Sequence, residues 1–268
     1  MNRMYEAARE LAGIDELAAL DSPVHRMHPV IKLLLTVIYI FTVVSVPKYE
    51  LSRLVPLIVF PLVSYSVSTV PVRTCFHKLR FILPLVCLIG IWNPLMDRIP
   101  VLMIGRFTVT TGMLSFATLM LKGIFALMAS FLLIATCGIE KICYALRSLH
   151  VPEMMVTLLM ITFRYISLLL QEAGTMFNAY MLRAPDQKGV HYSAWGSFLG
   201  QLLLRSMDRA QVLYQSMELR GFDGSFHYAA CVPPQLKDWL WFSAWCAVIL
   251  ALRLFPAAEL LGAALTGF

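Results

Sequence analysis

The stretch Gly112–Cys137, GMLSFATLMLKGIFALMASFLLIATC, decides the fold. Its 26 residues carry one charge, Lys122. A bilayer core of about 30 Å needs roughly 20 apolar residues of helix, so this run is longer than a single crossing requires. A soluble domain has no place for a helix that is apolar on every side over such a length. The stretch therefore predicts a membrane-spanning helix.

The rest of the chain agrees. Of 268 residues, 59% are hydrophobic and 14% charged, against about 45–50% and about 25% in soluble domains. The mean hydropathy is +0.73. A soluble core of this length cannot hide that much apolar surface, which excludes a disordered chain, a coiled coil and a soluble enzyme. The apolar residues come in unbroken runs and do not alternate, which argues against a β-barrel. An all-α polytopic membrane protein remains. Five spans are predicted: about Val30–Val46, Leu54–Val70 (with Pro56 and Pro61), Phe81–Met96 (with Pro84), Gly112–Cys137 and Trp239–Leu261. Prolines within spans are tolerated where neighbours satisfy the freed backbone groups.

The net charge of +6 sets the orientation. With the N-terminus in the cytoplasm, the inner segments hold Arg3, Arg9 and Arg26, then Arg73, Lys78 and Arg80, then nine basic residues between Gly138 and Asp238. The outer loops hold Lys48 and Arg53, then Arg98 and Arg106. This bias follows the positive-inside rule and gives no call for nucleic acid. The six cysteines form no CxxC, consistent with a reducing cytoplasmic side. The N-terminal MNRMYEAARELAGIDEL has no signal-peptide core. The expected organisation is a cytoplasmic segment over residues 1–29, a four-helix membrane region over 30–137, a cytoplasmic coupling region over 138–236 and a last span over 237–268.

Apolarity alone would make residues 151–170 a further span. Arg164 opposes that, at a cost of about 2.5–3.5 kcal/mol near a bilayer centre, and a crossing there would export six basic residues. The region instead reads as about three cytoplasmic or interfacial helices: Ile139–Leu149; one from Pro152 and Glu153 to Arg183; and Ser193–Arg220, which is amphipathic, with Arg205, Asp208, Arg209, Gln215 and Glu218 on its polar face. Gly221 stands where a C-terminal glycine belongs.

Two of these helices close on an echo. Leu182-Arg183-Ala184-Pro185-Asp186 and Leu219-Arg220-Gly221-Phe222-Asp223 share Leu-Arg-small-x-Asp. A lone arginine at a helix end complements the helix dipole. A pair on successive helices, each followed by a small residue that leaves room for another backbone, suits docking into acidic grooves, because a guanidinium offers a planar fork to a carboxylate. Lys122 reads two ways, as a functional intramembrane charge or as a snorkelling side chain. His25 and His28 form an H-x-x-H without a third ligand, which fits a basic segment entering the first span better than a metal site. Asn93-Pro94 with Asp97-Arg98 ends the third span, and Trp239, Trp241 and Trp245 read as an interfacial belt. No phosphate loop, HExxH, GxSxG or carboxylate cluster occurs, so neither catalytic nor cofactor residues are assigned.

Arg205-Ser206-Met207-Asp208-Arg209-Ala210 with Leu213 through Phe222, and Ser22-Pro23-Val24-His25-Arg26 followed by Pro29 and Lys32-Leu33-Leu34, resemble the signature of the transmembrane (T) component of energy-coupling factor (ECF) transporters, the CbiQ/EcfT family. The resemblance covers about residues 20–230. Asn93 through Arg98 and Phe163-Arg164-Tyr165 are most similar to the cobalt- or nickel-type CbiQ subunits; the alternative within the family is a shared vitamin-type T component. The resemblance implies a non-enzymatic ABC-transporter subunit of the cell membrane. It implies partnership with two ABC-type ATPases, docked through Leu182-Arg183-Ala184 and Leu219-Arg220-Gly221, and with a separate substrate-binding membrane subunit. The family usually has Ala before each arginine where this chain has Leu, and commonly Asp where it has His28. The rival class, an integral membrane enzyme or stand-alone channel, would need polar groups inside the bilayer, for which Lys122 and Arg164 are the available residues.

Overall fold

The computed structural model describes residues 16–70, 72–96, 100–104, 107–184, 189–222 and 235–254, together with Gly13 and Gly224. The fold is that of an all-α polytopic membrane protein. The chain divides into a membrane unit, Ala18–Cys137 with Val232–Phe268, and a second unit, Met1–Leu17 with Gly138–Cys231.

The membrane unit begins with a short helix, α1 (Pro23–Arg26), whose first turn Ser22 caps: its Oγ accepts the His25 N–H at 3.4 Å and lies 2.7 Å from His25 Nδ1. Helix α2 (Pro29–Ser45) starts on a proline and stops before Pro47. Helix α3 (Leu51–Ser68) has a 3₁₀ turn at Val55–Ile58. Helices α4 (Val72–Gly90) and α5 (Trp92–Met96) follow. A two-stranded antiparallel ribbon, β1 (Pro100–Ile104) with β2 (Phe107–Thr110), leads into α6 (Thr111–Ser148). The ribbon stands where the sequence offered only an outer loop; its cross-strand pairing leaves no hydropathy signal. Asp97, Arg98 and Arg106, and the end of the last predicted span, lie outside the described residues.

Two lysines hold α2 and the first part of α6 antiparallel. Lys32, near the start of α2 and 6% exposed, donates from Nζ to the Thr136 carbonyl at 3.2 Å and to the His25 carbonyl at 3.1 Å. Lys122 donates to the Val44 carbonyl at 3.0 Å and to that of Val46. Each helix thus supplies a cation to the carbonyl end of the other, where the helix dipole places about half a negative charge. Helices α4 and α6 approach closely at glycines: a Cβ on Gly90 would lie 2.8 Å from the Phe116 ring, and one on Gly123 3.3 Å from Val86.

One of the two prolines of α3, Pro61, is compensated by a tyrosine. Pro61 has no N–H for the Leu57 carbonyl four residues before it. The hydroxyl of Tyr39, a fully buried residue, donates to that carbonyl at 3.0 Å. Tyr39 also packs on Phe60, ring centroids 4.4 Å apart, and Phe60 meets Trp245 edge-on at 5.2 Å. Around them Leu35, Val43, Leu54, Phe125 and Ile249 complete the core. Trp245 comes from α9 (Leu236–Leu254), whose face Phe242, Trp245, Cys246 and Ile249 packs inward. It therefore leaves the expected belt, while Trp239 and Trp241 stay exposed.

In the second unit, Gly138 (φ 68°, ψ 163°) breaks α6 into residues 111–137 and 139–148. The second part ends at His150, itself at φ 64°. Its N–H bonds the Arg147 carbonyl and that of Val151 the Leu146 carbonyl, a Schellman ending. Arg147 pairs with Glu153 at 2.6 Å across the turn into α7 (Glu153–Arg183). A 3₁₀ turn, Tyr192–Ala194, precedes α8 (Trp195–Leu219). By length and composition three described helices can cross a bilayer, Leu51–Ser68, Thr111–Ser148 and Glu153–Arg183, with Pro29–Ser45 and Ile82–Pro94 as shorter apolar helices. Apolarity thus does not separate α7 from the spans; its charges have to.

The Tyr39 bond predicts a specific rescue. Tyr39→Phe should destabilise the protein by about 1–3 kcal/mol, the cost of a buried carbonyl left without a donor, read as a lower unfolding midpoint in detergent. Adding Pro61→Ala restores a backbone N–H to Leu57 and should recover most of the loss; purely additive effects would refute the link.

Candidate partner-docking site

Arg183 and Arg220 end α7 and α8, and the two ends are built differently. The ladder of α7 runs on to the Ala184 N–H, which bonds the Tyr180 carbonyl at 3.1 Å; Ala184 then leaves the helical region (φ −134°, ψ 68°), which the residue before a proline disfavours. At α8 the Gly221 N–H bonds the Glu218 carbonyl at 2.9 Å and the Phe222 N–H the Met217 carbonyl at 3.0 Å, the two bonds of a Schellman motif with Arg220 as its cap. Gly221 sits at φ 77° and a Cβ there would meet no atom within 4 Å. Within this chain the glycine is needed for its backbone angle alone; the space above it is open.

Both arginines are exposed, and among the described residues neither guanidinium has a hydrogen-bond or ion-pair partner. Beside them Leu182 is 84% and Leu219 89% exposed. Each tip therefore presents an exposed planar cation next to a bare aliphatic side chain, with a small residue after it. Such a tip matches a groove with apolar walls and a carboxylate. Asp186 and Asp223, the last residues of the echo, lie outside the described residues.

Sequence reasoning missed how the tips are held. Arg205 and Arg209, taken as a solvated face, converge from successive turns of α8 on one carboxylate of α7: Arg205 Nη1 pairs with Glu172 Oε1, and Arg209 Nη2 with Oε2 at 2.8 Å. The Glu172 side chain is 17% exposed. Arg183 lies eleven residues beyond Glu172 and Arg220 eleven beyond Arg209, about 16 Å along each helix. The clamp thus fixes two arms of equal length. The Arg205 hydrogen bond, with the charges of both arginines, holds the Glu172 carboxyl below the usual carboxylate range. The available signal was the arginine pair at i and i+4 on a helix that follows one bearing an isolated Glu.

The other candidates have structural partners. Lys122 is taken up by the carbonyls of Val44 and Val46. His25 and His28 are both buried, His28 at the start of α2. Among the described residues no three His, Cys, Asp or Glu gather as a metal site would require.

A family model described as the CbiQ cobalt transport protein matches residues 21–228. The chain is 26% identical over 246 residues to the energy-coupling factor transporter transmembrane protein EcfT of Clostridium kluyveri, a match covering 86% of this chain and 90% of that one. It is 28% identical over 122 residues to the nickel permease LarQ of Lactiplantibacillus plantarum, covering 41% of this chain and 44% of that one.

The clamp predicts a pH signature. A depressed carboxylate lends stability that is present above its unfolded value and lost as pH falls through its folded one. Spin labels at positions 182 and 219 should give a narrow distance distribution at neutral pH that broadens below the usual carboxylate range. Glu172→Gln should show the broad distribution at every pH; a narrow one in that variant would refute the clamp.

Proposed function

Because this chain belongs to the CbiQ family of cobalt transport proteins, the T components of energy-coupling factor transporters, we propose that it is the coupling subunit of an ECF-type importer for cobalt or nickel. The observation that carries this reading is the pair of exposed Leu-Arg-small tips without partners in the described chain. Each tip enters one of two ABC-type ATPases, Arg183 and Arg220 meeting carboxylates in the two grooves. ATP binding and hydrolysis belong to those partners. Their movement displaces the tips, the Glu172 clamp carries it through α7 and α8, and the membrane unit passes it to a separate substrate-binding membrane subunit.

The charges support a cytoplasmic site for α7 and α8. Arg164, Glu172, Arg205 and Arg209 together would be expensive in hydrocarbon, and the N-terminus then lies on the cytoplasmic side of the cell membrane. Cobalt or nickel follows the family description and the nickel permease among the relatives; the ions are cargo. A channel or membrane enzyme would need a free polar group in the bilayer, and Lys122 is committed to capping α2.

Arg183→Glu with Arg220→Glu should abolish co-purification of the ATPases while the chain stays in the membrane. Each single reversal should weaken recovery, since a lost interfacial charge pair costs about 2–5 kcal/mol. Undiminished ATPase recovery with the double variant would refute the assignment.

A further inference from the structure

The chain passes from one unit to the other at Leu17–Ala18 and at Cys137–Gly138, and the second passage lies inside α6. Gly138 holds φ 68° and ψ 163° there, a conformation open in practice to glycine alone. The bend owes nothing to proline, since none occurs between Thr111 and Ser148. Any other residue at 138 would favour the helical angles that carry the ladder straight on. Glycine reaches both conformations without steric cost.

The two arms of the bend are held. A helix that stops before Gly138 leaves its last four carbonyls without intrahelical donors, and Lys32 Nζ takes one of them, that of Thr136, at 3.2 Å. Thr136 Oγ1 donates back to the Leu132 carbonyl at 2.8 Å, a kind of bond that bends helices. Ala135 and Thr136 are buried. Beyond the bend Cys143 and Ala145 are buried. The Schellman ending at His150 and the Arg147–Glu153 pair join residues 139–148 to α7, and the Glu172 clamp joins α7 to α8. The turn at His150 is thus fixed by Pro152, by hydrogen bonds and by an ion pair. The bend at Gly138 turns on one backbone conformation.

We propose that Gly138 is a hinge, a role that rests on the coupling reading above and locates where the motion is taken up. Residues 139–148 swing about it when the partner ATPases move the tips, while Lys32 holds the first part of α6. Hinges are sites of a few residues that absorb a change of φ and ψ between packed elements. Here the change runs between the observed angles and helical ones.

Spin labels in the full-length chain, freed of its native cysteines, provide the test. Ser130→Cys with Ser148→Cys brackets the bend. Met113→Cys with Ser130→Cys lies within the first part of α6 and serves as control. In the isolated protein the bracketing pair should give a broad distance distribution and the control pair a narrow one. In the complex with the ATPases, ATP should change the bracketing distance by about 5 Å and leave the control unmoved, because residues 139–148 make an arm of about 15 Å whose end moves that far on a kink change of about 20°. Gly138→Ala should narrow the bracketing distribution, remove the ATP response and lower ion uptake per ATP hydrolysed, while the ATPases still co-purify. A narrow bracketing distribution in the isolated wild type, a distance unmoved by ATP, or a Gly138→Ala protein as mobile as the wild type would each overturn the hinge. If Gly138→Ala does not fold, the two wild-type measurements decide by themselves. A broad distribution in a wild-type chain that recovers no ATPases would support the hinge and sink the coupling reading.

Discussion

A backbone carbonyl inside a bilayer has no water to turn to, and the membrane unit is organised around that constraint. The carbonyl end of α2 is closed by Lys122, and that of the first part of α6 by Lys32. The carbonyl that Pro61 deprives of its donor is closed by Tyr39. Because each donor comes from a different helix than its acceptor, satisfying the backbone also fixes which helices are neighbours and in which direction they run. The core of Tyr39, Phe60, Trp245 and Ile249 then packs around contacts whose register is already set.

The second unit follows the opposite rule. Few residues of its long helices are buried: Val156, Thr157, Ala173 and Gly174 on α7 and Phe198 on α8. What joins them is the ion triple at Glu172, which tolerates water where an apolar core would not. Large apolar side chains on α8, among them Leu199, Leu203 and Val212, are left exposed for lipid or partner to cover. The tips are the extreme of this trend. Their side chains, a guanidinium and a leucine each, are exposed and the guanidinium groups have no partner among the described residues.

The sequence announced features that depend on a residue and its immediate neighbours. Pro29 starts α2, Gly138 breaks α6, α7 begins behind Pro152, and Gly221 takes the angle that ends α8. The paired arginine tips were visible for the same reason. Features made by distant residues meeting were hidden. Lys32 looked like a charge at the mouth of a span, yet it is buried because a carbonyl 104 residues away needs it. Trp245 looked interfacial until the face of α9 that packs on α2 was known, and Arg205 and Arg209 looked solvated until Glu172 stood opposite. Hydropathy could not place α7, since its composition suits a span and its charges do not.

The central claim is that the ends of α7 and α8 are contact points for partner ATPases. In a chain freed of its native cysteines, maleimide labelling of Leu182→Cys and Leu219→Cys tests it most directly. Both positions should label rapidly in the isolated protein, where the leucines are exposed, and become protected in the complex with the ATPases. Equal labelling of both positions with and without the partners would contradict the account.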